Sequence, residues 1–216
     1  MAAAVSHLLY LHGFRSSPRS AKARVTASWV AQQRPDVAWW CPQLPPSPRE
    51  AMQRLLDGVG AWPASGTAVI GSSLGGFYAT AVAERIGCRA VLLNPAVDPA
   101  RDLAKYIGET SAWHSDERFF FEPGFIDELR QIAPASLTQL QRYFAVIAKG
   151  DEVLSWVEMR ERYAGCRITL LEGGDHALSD YEAAHLPEVT RFLGLSGLNA
   201  ITSERSSRSP GPRPRR

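Results

Sequence analysis

The chain has 216 residues, of which 45% are hydrophobic and 21% are charged, and its formal net charge is +2 at pH 7. This composition is ordinary for a globular protein and excludes a wholly disordered, collagenous or coiled-coil chain. No apolar run reaches the ~18 residues of a membrane-spanning helix. The three cysteines are too few and too widely spaced for a disulfide framework or a zinc site, so reduced, buried thiols are expected.

Short apolar runs alternate along the chain with longer segments of helical pattern. Most of the runs are continuously apolar, which is typical of strands covered on both faces. They lie at 7–11, 37–40, 67–70, 89–93, 143–148 and 167–171, and the helical segments lie at 20–33, 47–60, 74–86, 154–163 and 181–193. Repeated strand–helix–strand units predict an α/β fold with about six mainly parallel strands and helices on both faces.

One segment interrupts this alternation after the fourth predicted strand. About 50 residues separate Leu93 from Tyr143, where an ordinary crossover needs far fewer. The segment contains Trp113, three consecutive phenylalanines at 119–121 and a helix-like stretch at 123–132. We therefore predict a lid-like insertion, at about 99–142, over one end of the sheet.

The two ends of the chain indicate the expected compartment and the limits of the folded domain. Residues 1–12 have no basic residue before the apolar run and no small-residue cleavage site after it, so the cytoplasm is the expected compartment. Residues 195–216 carry five arginines and one glutamate, a net +4 that leaves −2 for the rest of the chain. Rich in Ser and Pro and without aromatic residues, this stretch is predicted to be a disordered basic tail after a domain at 1–194.

The strongest motif follows the third predicted strand. The sequence Gly71-Ser72-Ser73-Leu74-Gly75 has the pattern G-x-S-x-G, with a strand before it and a helical pattern after it. In such a strand-to-helix turn the serine has a strained backbone and its hydroxyl projects clear of the sheet. Gly71 and Gly75 provide room where side chains would crowd each other. Ser73 is therefore the candidate nucleophile, and Ser72 does not fit the same frame.

A serine hydroxyl needs a base to take its proton, and the chain has five histidines. His176 follows the last predicted strand after two glycines, and this flexible connection can return an imidazole to the carboxyl edge of the sheet. His114, in the insertion, is the alternative base. His7 falls inside a strand and His185 inside a helix.

The base in turn needs an acid that fixes its tautomer. Asp151 follows the strand at 143–148 directly, and the order Ser73, Asp151, His176 is that of the Ser-Asp-His hydrolases. Asp98, after the fourth strand, and the adjacent Glu152 remain alternative acids.

Backbone donors for a developing oxyanion are expected at two turns. The N–H of Leu74 comes directly after the candidate nucleophile, and the N–H of Phe14 lies in the turn after the first strand. His12 and Gly13 would shape that turn through polar contacts and backbone freedom, without transferring protons.

The joint order and spacing of these motifs resembles the α/β-hydrolases and, more narrowly, the YqiA-like esterases. The similarity runs from about residue 8 to residue 193. It is carried by five motifs: Tyr10-Leu11-His12-Gly13-Phe14, Gly71-Ser72-Ser73-Leu74-Gly75-Gly76, Leu93-Asn94-Pro95-Ala96-Val97, Gly150-Asp151-Glu152-Val153-Leu154 and Glu172-Gly173-Gly174-Asp175-His176. The insertion does not match the family pattern.

The resemblance implies a compact α/β-hydrolase fold and a carboxylesterase or thioesterase that uses Ser73, Asp151 and His176 as catalytic residues. The implied substrate is a small acyl ester or thioester, with no metal and no organic cofactor. No nucleic-acid partner is expected either, because the arginines of the tail are not interleaved with aromatic residues. Four aromatic residues of the insertion are candidates to line an acyl pocket, or they attach the insertion to the sheet: Trp113, Phe119, Phe120 and Phe121. A peptidase or acyltransferase with the same triad, and a non-catalytic binding module on this scaffold, are the alternatives.

Overall fold

A six-stranded parallel sheet forms the centre of the protein in a computed structural model, which describes residues 4–111 and 118–195. The strands are β1 (His7–Leu11), β2 (Ala38–Trp40), β3 (Thr67–Ser72), β4 (Arg89–Leu93), β5 (Gly108–Ser111), β6 (Arg118–Phe121), β7 (Tyr143–Ala148) and β8 (Arg167–Leu171). The α-helices are α1 (Ala21–Gln33), α2 (Pro48–Val59), α3 (Leu74–Ile86), α4 (Pro99–Leu103), α5 (Gly124–Ile132), α6 (Trp156–Arg162) and α7 (Leu186–Leu193).

The main sheet has the strand order β2-β1-β3-β4-β7-β8, and every neighbouring pair is parallel. Alternate residues of each strand point to opposite faces, so β1 contributes Leu9 and Leu11 to one apolar cluster and Leu8 and Tyr10 to the other. Helices α2, α3, α5 and α6 cover the first face, and α1 and α7 cover the second. The predicted α/β architecture, with about six mainly parallel strands and helices on both faces, is thereby confirmed.

Element boundaries differ from the sequence prediction by one residue at β2, α1 and α2, and by more at three other places. Strand β3 continues to Ser72, two residues beyond the predicted end, because the elbow turn begins only at Ser73. The segment at 154–163 is helical only at Trp156–Arg162, where Ser155 caps α6 by accepting from the Glu158 N–H. The segment at 181–193 is a π-helical turn at Tyr181–His185 followed by α7, whose first turn contains a proline.

The insertion after β4 contains elements that the sequence pattern did not predict. Strands β5 and β6 pair antiparallel as a separate two-stranded sheet, with Gly108 opposite Phe121. The short, polar sequence of β5 has no apolar alternation from which a strand could be predicted. The helix-like stretch at 123–132 is observed as α5, which buries Ile126, Leu129 and Ile132.

The C-terminal boundary of the folded body lies at or beyond Leu195. This residue is fully buried, and its N–H donates to the carbonyl oxygen of Thr190. The sequence analysis predicted that the basic tail begins at Leu195, but this residue packs in the folded body. The rest of the predicted tail, 196–216, lies outside the described residues. None of the described helices has both the length and the hydropathy that crossing a bilayer demands.

All three cysteines are free, but only one is fully buried as predicted. Cys88 is buried, whereas Cys41 and Cys166 are half-buried. Burial raises the pKa of the Cys41 and Cys88 thiols to about 12 and that of Cys166 to about 11. All three are therefore protonated and weakly nucleophilic at neutral pH.

Candidate active site

Ser73 lies in the sharp turn between β3 and α3, with backbone angles of φ 56° and ψ −123°. A positive φ is rare for a residue other than glycine and costs on the order of 1–3 kcal/mol. The Ser73 N–H donates to the carbonyl oxygen of Leu93 at 3.0 Å, and the Ser73 carbonyl oxygen accepts from the Ala96 N–H at 3.0 Å. The end of β4 therefore holds the strained turn in place.

The two elbow glycines are needed because backbone atoms approach them closely. A β-carbon on Gly71 would lie 2.2 Å from the carbonyl oxygen of Gly75 and 2.7 Å from Cβ of Ala79. A β-carbon on Gly75 would lie 2.0 Å from the carbonyl oxygen of Leu11, at the end of β1. The crowding predicted between positions 71 and 75 is thus present, and strand β1 adds a second constraint on Gly75.

We expect Gly71→Ala to lower the free energy of unfolding by about 3 kcal/mol or more, since overpacking typically costs 1–3 kcal/mol even against side chains that can move. Here the methyl group would meet backbone atoms. Urea unfolding measures the change. The matched control is Gly124→Ala in the first turn of α5, where a β-carbon meets nothing within 4 Å. Equal unfolding midpoints for the two variants would contradict this account of the elbow.

The structure brings the side chains of Ser73, Asp151 and His176 into one hydrogen-bonded chain. Nε2 of His176 lies 3.0 Å from Oγ of Ser73, and Nδ1 lies 2.8 Å from Oδ2 of Asp151. A carboxylate can only accept, so the imidazole carries its proton on Nδ1 and Nε2 can accept the serine proton. This geometry is that of a nucleophile, a base and an acid that orients the base.

Both carboxylate oxygens of Asp151 accept hydrogen bonds. Its side chain is fully buried, and Oδ1 accepts from the N–H groups of Val153 and Leu154, each at 2.8 Å. Oδ2 accepts from Nδ1 of His176. A buried carboxylate with this many partners keeps one orientation and is well placed to fix the tautomer of the imidazole.

The alternative acids have other partners in the structure. Asp98 caps α4 by accepting from the Arg101 N–H at 3.2 Å. Glu152 accepts from the backbone N–H of His176 at 2.9 Å and does not contact its ring nitrogens. The alternative base, His114, lies outside the described residues.

The turn after β1 lies directly against Ser73, the candidate nucleophile. A β-carbon on Gly13 would lie 3.2 Å from Cβ of Ser73, so only a glycine lets this turn approach so closely. Nε2 of His12 accepts from the Leu44 N–H at 3.3 Å, and Nδ1 donates to the Gly13 carbonyl oxygen at 3.0 Å. Burial lowers the pKa of His12, which keeps the ring neutral in this bridging role. The N–H groups of Phe14 and Leu74 both belong to residues that line the cavity around Ser73.

Two adjoining cavities share the wall formed by residues 12–16, Leu74 and Leu103. The cavity that contains Ser73 and His176 has a volume of about 390 Å³ and is named the catalytic cavity after these two candidate residues. The apolar cavity, of about 430 Å³, is enclosed by side chains from α2, α3 and the insertion; its lining includes Leu44, Pro45, Pro46, Tyr78, Leu103, Phe119, Phe121 and Leu129.

Of the four aromatic residues proposed to line an acyl pocket, two line the apolar cavity and one lies on the surface. Phe119 and Phe121 line the apolar cavity and pack edge-on against Phe14 at centroid distances of 6.0 and 5.4 Å. Phe120 points to the other side of β6, is 58% exposed and lines neither cavity. Trp113 lies outside the described residues. The sequence analysis missed Leu44, Tyr78 and Leu103, whose ordinary core pattern carried no distinguishing signal.

Lys22 is a further polar residue that the sequence analysis did not single out. Its Nζ donates to the carbonyl oxygen of Ala177, the residue after His176, and it lines the catalytic cavity. Burial lowers the pKa of Lys22 to about 8, against the opposing effect of nearby Asp175 and Asp151. Within 4–111 and 118–195, no group of three or more His, Cys, Asp or Glu side chains is arranged to hold a metal ion.

A comparison with protein families finds one model, described as an uncharacterised protein family (UPF0227), that matches residues 7–194. The match covers the sheet, the elbow and the loops that carry Asp151 and His176.

Many solved structures share this fold, and three of them show the extent of the similarity. A putative hydrolase from Agrobacterium vitis is 17% identical with a TM-score of 0.65, covering 93% of this chain and 90% of that one. Mouse alpha/beta hydrolase domain-containing protein 10 is 14% identical with a TM-score of 0.61, covering 92% and 90%. The Butyrivibrio proteoclasticus protein Est1E, solved with ferulic acid bound, is 14% identical with a TM-score of 0.61, covering 94% and 91%. Similarity at these identities establishes the α/β-hydrolase fold.

Proposed function

Because the chain belongs to the UPF0227 or YqiA-like family of the α/β-hydrolase superfamily, we propose that it is a serine hydrolase that cleaves carboxylic esters through an acyl-enzyme. The observation that carries the proposal is the continuous hydrogen-bonded chain from Asp151 through His176 to Ser73 at a strained elbow. A structural Gly-Ser turn would need neither the strain nor a base aimed at the hydroxyl.

In the proposed acylation step, Oγ of Ser73 attacks the ester carbonyl carbon while Nε2 of His176 takes the hydroxyl proton. The carbonyl oxygen becomes an oxyanion, for which the N–H groups of Phe14 and Leu74 are the proposed donors. The imidazolium then returns its proton to the departing alkoxide, and the C–O bond breaks to release an alcohol. Asp151 stabilises the imidazolium and keeps its proton on Nδ1 throughout.

Deacylation repeats these steps with water as the nucleophile. His176 takes a proton from water, the resulting hydroxide attacks the acyl carbon, and Oγ of Ser73 leaves with the proton that His176 returns. The products are a carboxylic acid and the free enzyme. Apart from the substrate and water, every group in this cycle is a residue of the chain, and the same cycle serves a thioester with a thiol as the leaving group.

The apolar cavity is the proposed site for the acyl chain. It adjoins the catalytic cavity at Phe14 and Leu74, the two residues whose N–H groups would bind the oxyanion. Its walls are mainly aliphatic and aromatic, so each methylene that enters it gains about 0.8 kcal/mol. We therefore expect esters of medium-length acids to be better substrates than acetate esters.

Filling the apolar cavity tests this assignment. We expect Leu44→Trp to lower kcat/KM for an octanoate ester at least about tenfold relative to an acetate ester, since excluding two methylenes costs about 1.6 kcal/mol. Leu44 is half-buried in the cavity wall, so a larger side chain there displaces little of the core. The ratio is measured with p-nitrophenyl esters of graded chain length.

The control for that experiment is Phe120→Ala. Phe120 is exposed and lines neither cavity, so the octanoate-to-acetate ratio should not change. If Leu44→Trp left the ratio unchanged, or if Phe120→Ala shifted it as strongly, the acyl chain would bind elsewhere.

A fluorophosphonate probe separates the proposed enzyme from the alternatives. We expect stoichiometric labelling at Ser73, because the probe reacts with a hydroxyl that a neighbouring base activates. A non-catalytic binding module would stay unlabelled. Comparison of ester, thioester and peptide substrates, with and without an added alcohol acceptor, then distinguishes an esterase from a thioesterase, a peptidase or an acyltransferase.

A further inference from the structure

Asn94 follows β4 directly and joins two loops of the candidate site with one side chain. Its Nδ2 donates to the carbonyl oxygen of Asp175 at 3.0 Å and to that of His176 at 3.2 Å. Its Oδ1 accepts from the N–H of Ala148 at 2.8 Å, at the end of β7 and three residues before Asp151. The side chain is fully buried, so these three hydrogen bonds do not compete with water.

The backbone of Asn94 is also unusual. Its φ is 42°, in the left-handed region, and its N–H donates to the carbonyl oxygen of Val146 at 2.9 Å. Glycine adopts this conformation at the lowest cost, and asparagine and aspartate adopt it more readily than other residues. Glycine would fit this backbone but could not make the three side-chain hydrogen bonds that Asn94 makes.

The loop that carries His176 needs such support. It begins with Gly173 and Gly174, the latter at φ 85°, and glycines leave the backbone with many accessible conformations. Two other side chains also bind this loop: Glu152 accepts a hydrogen bond from the backbone N–H of His176, and Lys22 donates one to the carbonyl oxygen of Ala177. Glu152 is exposed and Lys22 is half-buried, whereas Asn94 binds the loop from the protein interior.

We propose that Asn94 is a positioning residue that holds the His176 loop at a fixed distance from Asp151 and Ser73. Through Ala148 the amide also binds the strand that leads to Asp151, so base and acid are placed relative to one common group. The inference rests on the proposed function for its kinetic consequence. A misplacement of about 1 Å in the base is enough to lower kcat about 10²-fold.

Two substitutions that tolerate the left-handed backbone test the proposal. Asn94→Gly removes all three hydrogen bonds. Asn94→Asp keeps the oxygen that accepts from the Ala148 N–H, but it replaces the Nδ2 donor with an oxygen that faces the carbonyl oxygens of Asp175 and His176. We expect both to lower kcat for a p-nitrophenyl ester about 10²-fold with KM within threefold of the wild type. The rate of fluorophosphonate labelling should fall in parallel, because it also depends on His176.

The control is Thr67→Val, which removes a buried hydrogen bond to the Pro63 carbonyl oxygen at the opposite, amino end of the sheet. It should lower the melting temperature without changing kcat at 25 °C. An Asn94 variant that is folded by circular dichroism and keeps kcat within threefold of the wild type would overturn the proposal. So would a loss of kcat in Thr67→Val as large as that in Asn94→Gly.

Hydrogen–deuterium exchange separates this inference from the proposed function. In the Ser73→Ala background, where no turnover is needed, Asn94→Gly should speed exchange in the peptide at 172–179 at least tenfold. Peptides from the amino end of the sheet should exchange as before. Unchanged exchange at 172–179 overturns the positioning role even if Ser73 proves catalytic. Faster exchange there supports it even if the ester chemistry is wrong.

Discussion

Replacing Ser73 with alanine should lower kcat for ester hydrolysis on the order of 10³-fold or more while the fold persists. The substitution removes the only atom of the residue that bonds to His176, and Ser73 makes no side-chain cap to α3 that would be lost with it. The melting temperature should therefore stay close to that of the wild type. Fluorophosphonate labelling should disappear together with hydrolysis.

Ser72→Ala is the matched control for this experiment. Ser72 is the neighbouring serine, lies at the end of β3 and also lines the catalytic cavity. The ring nitrogens of His176 bond to Asp151 and Ser73 and not to the Ser72 hydroxyl, so activity should be retained. If Ser72→Ala were the inactive variant, or if Ser73→Ala kept most of its kcat, the proposed nucleophile would be wrong.

Asp151→Asn should lower kcat by about 10³–10⁴-fold because it favours the wrong tautomer of His176. The asparagine oxygen can still accept from the N–H groups of Val153 and Leu154, which leaves the amide nitrogen facing Nδ1. An amide nitrogen can only donate, so the imidazole proton moves to Nε2 and the ring can no longer accept the proton of Ser73. Steady-state kinetics with an acetate ester measure the loss.

Asp98→Asn serves as the control for the acid. Asp98 caps α4, and asparagine is an equally good cap, so both activity and stability should change little. The reverse ranking of the two variants would move the acid to the end of β4. A large loss in Asp151→Asn accompanied by unfolding would instead show that the buried carboxylate is structural.

Much of the fold followed from local patterns in the sequence. Mainly apolar runs predicted β1, β4, β7 and β8 with their observed limits, because strands in a parallel sheet that is covered on both faces carry few polar residues. The elbow was also locally determined. The strand, the G-x-S-x-G turn and the small residues of α3 are adjacent in the chain, and sterics within a few residues dictate their conformation.

The insertion was predicted only as a segment, and its internal structure depends on the fold. Strand β5 has no pattern of its own and is a strand only because β6 pairs with it. When this two-stranded sheet packs on the body, the alternation of β6 places Phe119 and Phe121 against Phe14 and leaves Phe120 exposed. Three identical neighbours in the sequence cannot reveal which of them faces the apolar cavity.

Local sequence patterns were enough to identify most of the candidate residues, because in a parallel sheet the turns after the strands all lie at the carboxyl edge. How these residues contact one another depends on the packed fold. Asp98 and Asp151 both follow strands, yet one caps a helix and the other contacts His176, and Asn94 links loops 54 and 81 residues away. Such contacts depend on where the packed sheet places distant side chains within hydrogen-bond reach, to a fraction of an ångström, and residue type and local spacing do not contain that distance.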